Sequence, residues 1–282
     1  MTKSPRVPPE TLLSFIREDA PSGDVTSDAI IGDICCRARI ISREPGVIAG
    51  LEEAGTLFEI YGVRVVFCVK DGAIVDRGTV LSTLEGPARA ILLVERTALN
   101  IIGRMSGIAS LTRRLQEILD RKRPGCRIAS TRKTVPGLRL LDKKAVILGG
   151  GDPHRMTLSD GVMIKDNHLA LVSLETAIHS ARAHTKYKKI EVEVETPEEA
   201  LRAARAGADI LLLDNMPPAE IKKTLSLIQE AALRKGLLIE VSGGINEENI
   251  PDYALDGVDV ISIGALTHSV RNLDVSLEII AG

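Results

Sequence analysis

Six short apolar runs in the second half of the chain each end in charged or glycine-rich residues. Ile128-Ala129 leads into Ser130-Thr131-Arg132-Lys133, Val162-Met163-Ile164 into Lys165-Asp166-Asn167-His168, and Ile190 to Val194 into Glu195. Ile210 to Leu213 leads into Asp214-Asn215, Leu238 to Val241 into Ser242-Gly243-Gly244, and Val260 to Ile263 into Gly264. Most are followed by a stretch of helical periodicity. Repeated βα units of this kind predict a parallel sheet, open or closed into a barrel. In a (β/α) barrel the functional groups stand at the C-terminal ends of the strands, where these polar residues fall.

The first half lacks that rhythm. Pro8-Pro9 opens a short amphipathic helix with Leu12, Leu13, Phe15 and Ile16 on its apolar side, and Ala20–Asp24 is a loop. Strands are expected at Cys36–Ser42, Val47–Ala49, Arg64–Val69 and Val80–Leu84, with a helix over Leu51–Tyr61. The run from Asp71-Gly72 to Gly86 is similar to a lipoyl-type hairpin, but Lys70 precedes the turn instead of forming its tip, so its role is structural. Strands and helices mixed in this way indicate an α+β domain. The pattern from Ala88 to Arg121 is helical, and Gly103 and Ser106-Gly107 are expected to break or bend it at the domain junction.

Composition narrows the function. Only 2% of the 282 residues are aromatic and none is Trp, too few for base-stacking platforms. Lys and Arg number 36 against 38 Asp and Glu, a net charge of −2, so no general attraction to nucleic acid or anionic membranes is expected. No apolar run approaches the roughly 20 residues that span a bilayer, and Met1–Pro9 has no signal-peptide core. Cys35, Cys36, Cys68 and Cys126 form no metal-binding spacing and are expected to be thiols of a reducing cytoplasm. The chain has no H-E-x-x-H, G-x-S-x-G, Walker A or G-x-G-x-x-G motif.

Three groups of residues carry chemistry. Arg132, Lys133, Arg139, His154, Arg155 and Lys165 suit a small ligand with several negative charges, because arginine presents a planar fork to carboxylates and phosphates. Surface pairing with Asp142, Asp152, Asp160 and Asp166 is the alternative; convergence on one barrel mouth weighs against it. Glu191, Glu193 and Glu195 alternate along one strand face. Glu191 and Glu193 fit a solvated outer face as well as a site, whereas Glu195 and Asp214 end their strands and suit Mg²⁺ or ribose hydroxyls. Ser242-Gly243-Gly244 and Gly264 stand where barrels cradle phosphate with backbone N–H groups.

Ser130-Thr-Arg-Lys-Thr-Val-Pro-Gly-Leu-Arg139, Gly149-Gly-Gly-Asp-Pro-His-Arg155 and Ile164-Lys-Asp-Asn-His168 together resemble the quinolinate phosphoribosyltransferase family. The resemblance extends in order through Ser22–Thr26, Gly46–Gly50, Glu95–Asn100, Ser106–Ile108, Glu193–Glu195, Leu213–Asn215, Ser242–Gly244 and Gly264–His268. Pro21 stands where the family usually has a glycine. The resemblance implies an α/β architecture: an N-terminal α/β sandwich over residues 1–107, rejoined by 269–282, and an incomplete (β/α) barrel over 108–268. It implies phosphoribosyl transfer to quinolinate with decarboxylation, Mg²⁺ carried with phosphoribosyl pyrophosphate, no organic cofactor, and a cytoplasmic homodimer with shared sites. Quinolinate would be held by Arg132, His154, Arg155 and Lys165, with Arg96 reaching in from the other subunit. Thr131, Lys133, Glu195, Asp214, Ser242, Gly243, Gly244, Gly264 and His268 complete the implied set. Glu195 and Asp214 would hold the metal, directly or through the substrate. The rivals are a nicotinate-using relative, a paralogue linked to molybdate transport and a non-catalytic anion-binding protein.

Overall fold

The computed structural model describes residues 5–280. In chain order the elements are α1 (Pro9–Asp19), α2 (Val25–Ile30), β1 (Cys35–Ser42), β2 (Gly46–Val47), α3 (Leu51–Ile60), β3 (Arg64–Phe67), β4 (Ile74–Val75), β5 (Val80–Pro87) and α4 (Ala88–Lys122). They continue with β6 (Arg127–Ala129), α5 (Arg139–Leu148), β7 (Val162–Ile164), α6 (Asp166–Leu169), α7 (Leu174–His184), β8 (Ile190–Val194) and α8 (Pro197–Arg205). Last come β9 (Ile210–Asp214), α9 (Pro218–Glu230), β10 (Leu238–Ser242), α10 (Ile250–Tyr253), β11 (Val260–Ser262), α11 (Ala265–His268) and β12 (Val275–Ile280). The chain divides into one unit of residues 1–113, 134–150 and 266–282, and a second of 114–133 and 151–265.

The first unit is built on an antiparallel sheet of order β12-β1-β5-β3. β12 pairs with β1 along its whole length, and Glu278 binds both Arg39 and Arg43 across that ladder. The turn before α2, expected as plain loop, is capped: Asp24 accepts the N–H groups of Thr26 and Ser27. Helix α4 differs from expectation. It runs 35 residues without a break through Gly103 and Gly107. The glycines serve close packing: a Cβ built on Gly107 would lie 2.1 Å from the Arg271 carbonyl oxygen, and one on Gly103 would lie 3.0 Å from that of Leu273. Ser106 and Ser110, buried on the same helix, accept hydrogen bonds from the N–H groups of Ala49 and Val47.

Segment 134–150, inside the span 108–268 expected for the barrel, groups by its contacts with the first unit. It belongs to the first unit because α5 is fastened there by charge. Arg104 donates to both carboxylate oxygens of Asp142 at 2.8 and 2.9 Å. Lys144, itself buried, reaches Glu52 at 2.6 Å and Glu53 at 2.7 Å.

The second unit is a six-stranded parallel sheet of order β6-β11-β10-β9-β8-β7. Its first strand pairs with its last, β6 with β11, while β7 pairs only with β8. The barrel is therefore incomplete, open along the seam between β6 and β7. Ile128, Ile190, Val192, Leu211, Leu213, Ile239, Val241 and Ile261 form a fully buried aliphatic core. At the opposite end from the site, one device is used twice. Asp209 accepts from Arg182 and from the Ile190 N–H, each at 2.7 Å. Asp259 likewise accepts from Arg234 and from the Ile239 N–H, each at 2.8 Å. Each aspartate starts one strand and fixes the start of its neighbour.

Alanine in an open helix position gains up to about 1 kcal/mol over glycine. Gly107→Ala is expected to reverse that sign and destabilise the protein by about 2 kcal/mol or more, because a backbone carbonyl cannot yield. Urea unfolding of the two proteins measures the difference; a stabilised variant would show that the helix is not held this closely.

Candidate active site

The strand ends of the second unit surround a cavity of about 410 Å³. Parallel register sets its depth: Asp214 pairs with Ser242, and Ser242 with Ser262, so these three side chains stand at one level. Thr131, Arg132, Lys133, His154, Arg155, Lys165, Asp214 and Ser242 all line the cavity, as do Ser130, Met163, Glu193, Leu212, Glu240 and Ser262. One wall is cationic, one is carboxylate, and Met163 and Leu212 supply apolar surface between them.

Lys165 follows β7 and is ion-paired with Glu193 of β8. Its backbone N–H donates to His168 Nδ1 at 2.9 Å, which fixes the turn into α6. Glu193 occupies the position expected of Glu195. Side chains alternate along a strand, so Glu191, Glu193 and Glu195 share one face. That face is the inner one, not a solvated outer one: Glu191 is buried and Glu193 half-buried, whereas Glu195 lies past the strand end and is exposed. The Glu195 backbone N–H is taken by Glu199.

Asp214 is half-buried at the end of β9. Burial raises its carboxyl above the usual range, repulsion from Glu193 adds to this, and Lys165 and Lys133 offset part of it. Asn215 beside it adopts φ 53° and donates from its side chain to Asp214 at 2.7 Å. Gly243, at φ 104°, leaves the space this needs: a Cβ there would be 2.3 Å from Asn215 Oδ1. Gly243, Gly244 and Gly264, expected to line the phosphate end, are not among the cavity-lining residues. Arg139 and the implied Arg96 and His268 belong to the first unit. Arg96 is exposed on α4, Arg139 donates to Thr134, and His268 Nδ1 lies 2.7 Å from Ser269 Oγ.

Arg132 and Arg155 line the same cavity, and each lies in the field of the other. Burial lowers the Arg155 pKa; Glu191 opposes that, and the Arg132 charge adds to it. Two guanidinium groups lining one cavity suit a ligand with two negative charges. The Nε of Arg132 is buried and has no hydrogen-bond partner among the described residues.

His154, expected as a cation, is held differently. Its backbone adopts φ 54°, and its N–H donates to Asp152 at 2.6 Å. Nδ1 accepts the Arg155 N–H at 2.8 Å, so Nε2 carries the proton and faces Glu240 at 3.2 Å and Glu191 at 3.6 Å. The ligand atoms of this triad lie within 4.8 Å of one another. A metal would need the Nε2 lone pair while the Nδ1 pair is already engaged, so the triad is a hydrogen-bonded floor and not a metal site. Sequence reasoning missed Glu240 and Ser262, whose inward direction depends on register, and Asn215, signalled only by its place after Asp214.

Comparison with known proteins decides the family. The profile of the N-terminal domain of quinolinate phosphoribosyl transferase matches residues 24–106, and that of its C-terminal domain matches residues 108–278. The chain belongs to the quinolinate phosphoribosyltransferase family. It is 47% identical over 96% of its length, and 98% of the relative, to the probable nicotinate-nucleotide pyrophosphorylase [carboxylating] of Methanothermobacter thermautotrophicus. It is 36% identical to the nicotinate-nucleotide pyrophosphorylase [carboxylating] of Rattus norvegicus, over 98% of this chain and 93% of that one. NadC from Streptococcus pyogenes superposes with a TM-score of 0.90 at 37% identity, covering 99% of this chain and 100% of that one. Like the NadC structure, this phosphoribosyltransferase combines an antiparallel-sheet unit with a parallel-sheet unit. No helix among its described residues is long and apolar enough to cross a membrane.

Glu191 is the buried extreme of this site. Burial, then repulsion from Glu240, pushes its carboxyl up to about 7, against the pull of His154, Arg155 and Lys165. The folded chain therefore holds that proton up to about pH 7, while the unfolded chain releases it near the model-peptide value of about 4.3. Between those limits the folded state binds more protons, so stability falls as pH rises through the window and levels off above it. Glu191→Gln is expected to remove this slope and to gain up to about 3 kcal/mol over wild type at pH 8. Urea unfolding of both proteins at pH 5 and pH 8 measures it; equal pH slopes would show that Glu191 ionises normally.

Proposed function

We propose that this pocket joins quinolinate to phosphoribosyl pyrophosphate, releasing pyrophosphate and CO₂ and leaving nicotinate mononucleotide. The observation that carries the reading is the pairing of Arg132 with Arg155 at one wall of the cavity, facing Glu193 and Asp214 at the other. A dianionic flat ring fits the first wall, with Met163 and Leu212 as apolar surface, and a sugar developing positive charge fits the second.

Arg132, Arg155 and Lys165 bind the two carboxylates. Lys133 and Thr131 face the sugar phosphates, and the backbone of Ser242–Gly244 and Gly264, with His268, serves the 5′-phosphate. As the C1–pyrophosphate bond breaks, positive charge grows on the ribose, and the carboxylates of Asp214 and Glu193 offset it. The ring nitrogen then forms the new C–N bond and becomes cationic. The adjacent carboxylate leaves as CO₂, its bonding pair remaining at C2 beside that cation, and C2 takes up a proton. Asp214, with a carboxylate destabilised by burial and then by the charge of Glu193, fits a divalent cation; Glu193 is the nearer second carboxylate and Glu195 lies farther out. Mg²⁺ bound there would neutralise charge on the pyrophosphate leaving group. Arg96 serves the site of a partner subunit, which makes the working enzyme a cytoplasmic homodimer.

Purified protein incubated with phosphoribosyl pyrophosphate, Mg²⁺ and quinolinate should release CO₂ and nucleotide in equal amounts, and nicotinate should not replace quinolinate. Nucleotide formed from nicotinate without CO₂ would overturn the reading. Lys165→Ala should lose about 10²-fold or more in kcat/KM, since it removes one cation from the substrate and strips Glu193 of its partner.

The shared site has its own test. Arg96→Ala and Lys165→Ala homodimers should each be nearly inactive. Subunit exchange between them makes about half the dimers mixed, each with one doubly damaged site and one intact site, so activity should return to about a quarter of wild type. Demonstrated exchange with no recovery would place Arg96 outside the neighbour's site.

A further inference from the structure

Beside the main pocket lies a second cavity, of about 600 Å³, on the β7 side of the open barrel seam. The two share the half-buried wall formed by Arg132, Arg155, Met163 and Lys165. Beyond that wall the second cavity is rimmed by His168, His184 and Lys188. Among the described residues it has no carboxylate in its lining, in contrast to the main pocket with Glu193, Asp214 and Glu240. Six basic side chains thus surround one concave surface in a chain of net charge −2.

The rim is available to a ligand. Neither His184 nor Lys188 makes an ion pair among the described residues. Asp160, the carboxylate whose charge Lys188 feels, has one oxygen engaged by the N–H groups of Met156 and Thr157. His168 accepts the Lys165 N–H at Nδ1, so its Nε2 is left as a donor. The buried Nε of Arg132, which finds no acceptor among the described residues, belongs to the wall that both cavities share.

We propose that this side cavity is an accessory anion site, holding a small, multiply charged anion outside the main pocket while Arg132, Arg155 and Lys165 face both compartments. Two anions of the reaction have the right chemistry: quinolinate on its way in and pyrophosphate on its way out. The inference rests on the anionic-substrate reading of the main pocket and adds a second, weaker equivalent to it.

Calorimetric titration separates the two. Quinolinate and inorganic pyrophosphate are titrated singly into the full-length protein, without added divalent cation, at 50 mM and 200 mM salt. With at least one of them the wild type should bind two equivalents per chain, and the weaker should fade at the higher salt because its rim is exposed. In His184→Ala/Lys188→Ala the weaker equivalent should lose about tenfold or more in affinity while the tighter one is unchanged. Lys188→Glu, which reverses the charge at an exposed position, should weaken it further. A second equivalent seen with quinolinate assigns the cavity to the arriving dianion; one seen with pyrophosphate assigns it to the departing product. A single equivalent with both probes, or a second one untouched by either variant, overturns the accessory site. Loss of the tighter equivalent in the wild type would instead count against the reading of the main pocket.

Discussion

Glu191, Glu193 and Glu240 project inward from β8 and β10, where an unpaired carboxylate would cost several kcal/mol. Each is met differently. Glu193 has the Lys165 ammonium, Glu240 has the His154 imidazole N–H, and Glu191 keeps a proton up to about pH 7. These compensations fix the site. Lys165 is drawn across to the carboxylate wall, His154 is held in one tautomer, and Arg155 is left in the field of the like charge of Arg132. A ligand dianion entering between them completes a balance of charge that the protein alone leaves unfinished.

The barrel was legible because its signal is local and repeated: six apolar runs gave six parallel strands, each with its polar residues at the expected end. Much of the site followed, since Arg132, Lys133, Lys165, Asp214 and Ser242 sit immediately after or at the ends of those runs. What failed depended on direction or on distant neighbours. Alternation put Glu191, Glu193 and Glu195 on one face, but only the sheet register shows that Glu193 stops at the cavity and Glu195 overshoots it. Gly103 and Gly107 looked like helix breakers because their reason for being small, the carbonyls of Leu273 and Arg271, comes from the far end of the chain. Residues 134–150 are a similar case: the contacts of α5 with Arg104, Glu52 and Glu53, which group it with the first unit, leave no trace in the local pattern.

His154 shows how much the partners of a side chain add to its residue type. Five histidines and a cluster of arginines invite a reading of the ring as one more cation. Its backbone sits in the left-handed region, which is uncommon outside glycine and is enriched at functional sites. Both ring nitrogens are already bonded, so the ring shapes the floor and orients the Arg155 backbone.

The pairing order of the two sheets has a consequence for how the chain is made. β6 finds its partner only in β11, and β1 finds β12 only at the other end of the sequence; the Arg39–Glu278 contact spans 239 residues. During synthesis, both early strands must wait with an unpaired edge until the last tenth of the chain leaves the ribosome. Loop-closure entropy makes such pairings slow, and exposed strand edges invite contact with other chains. Truncation near the C-terminus would therefore act on the first strand of the protein as much as on the last.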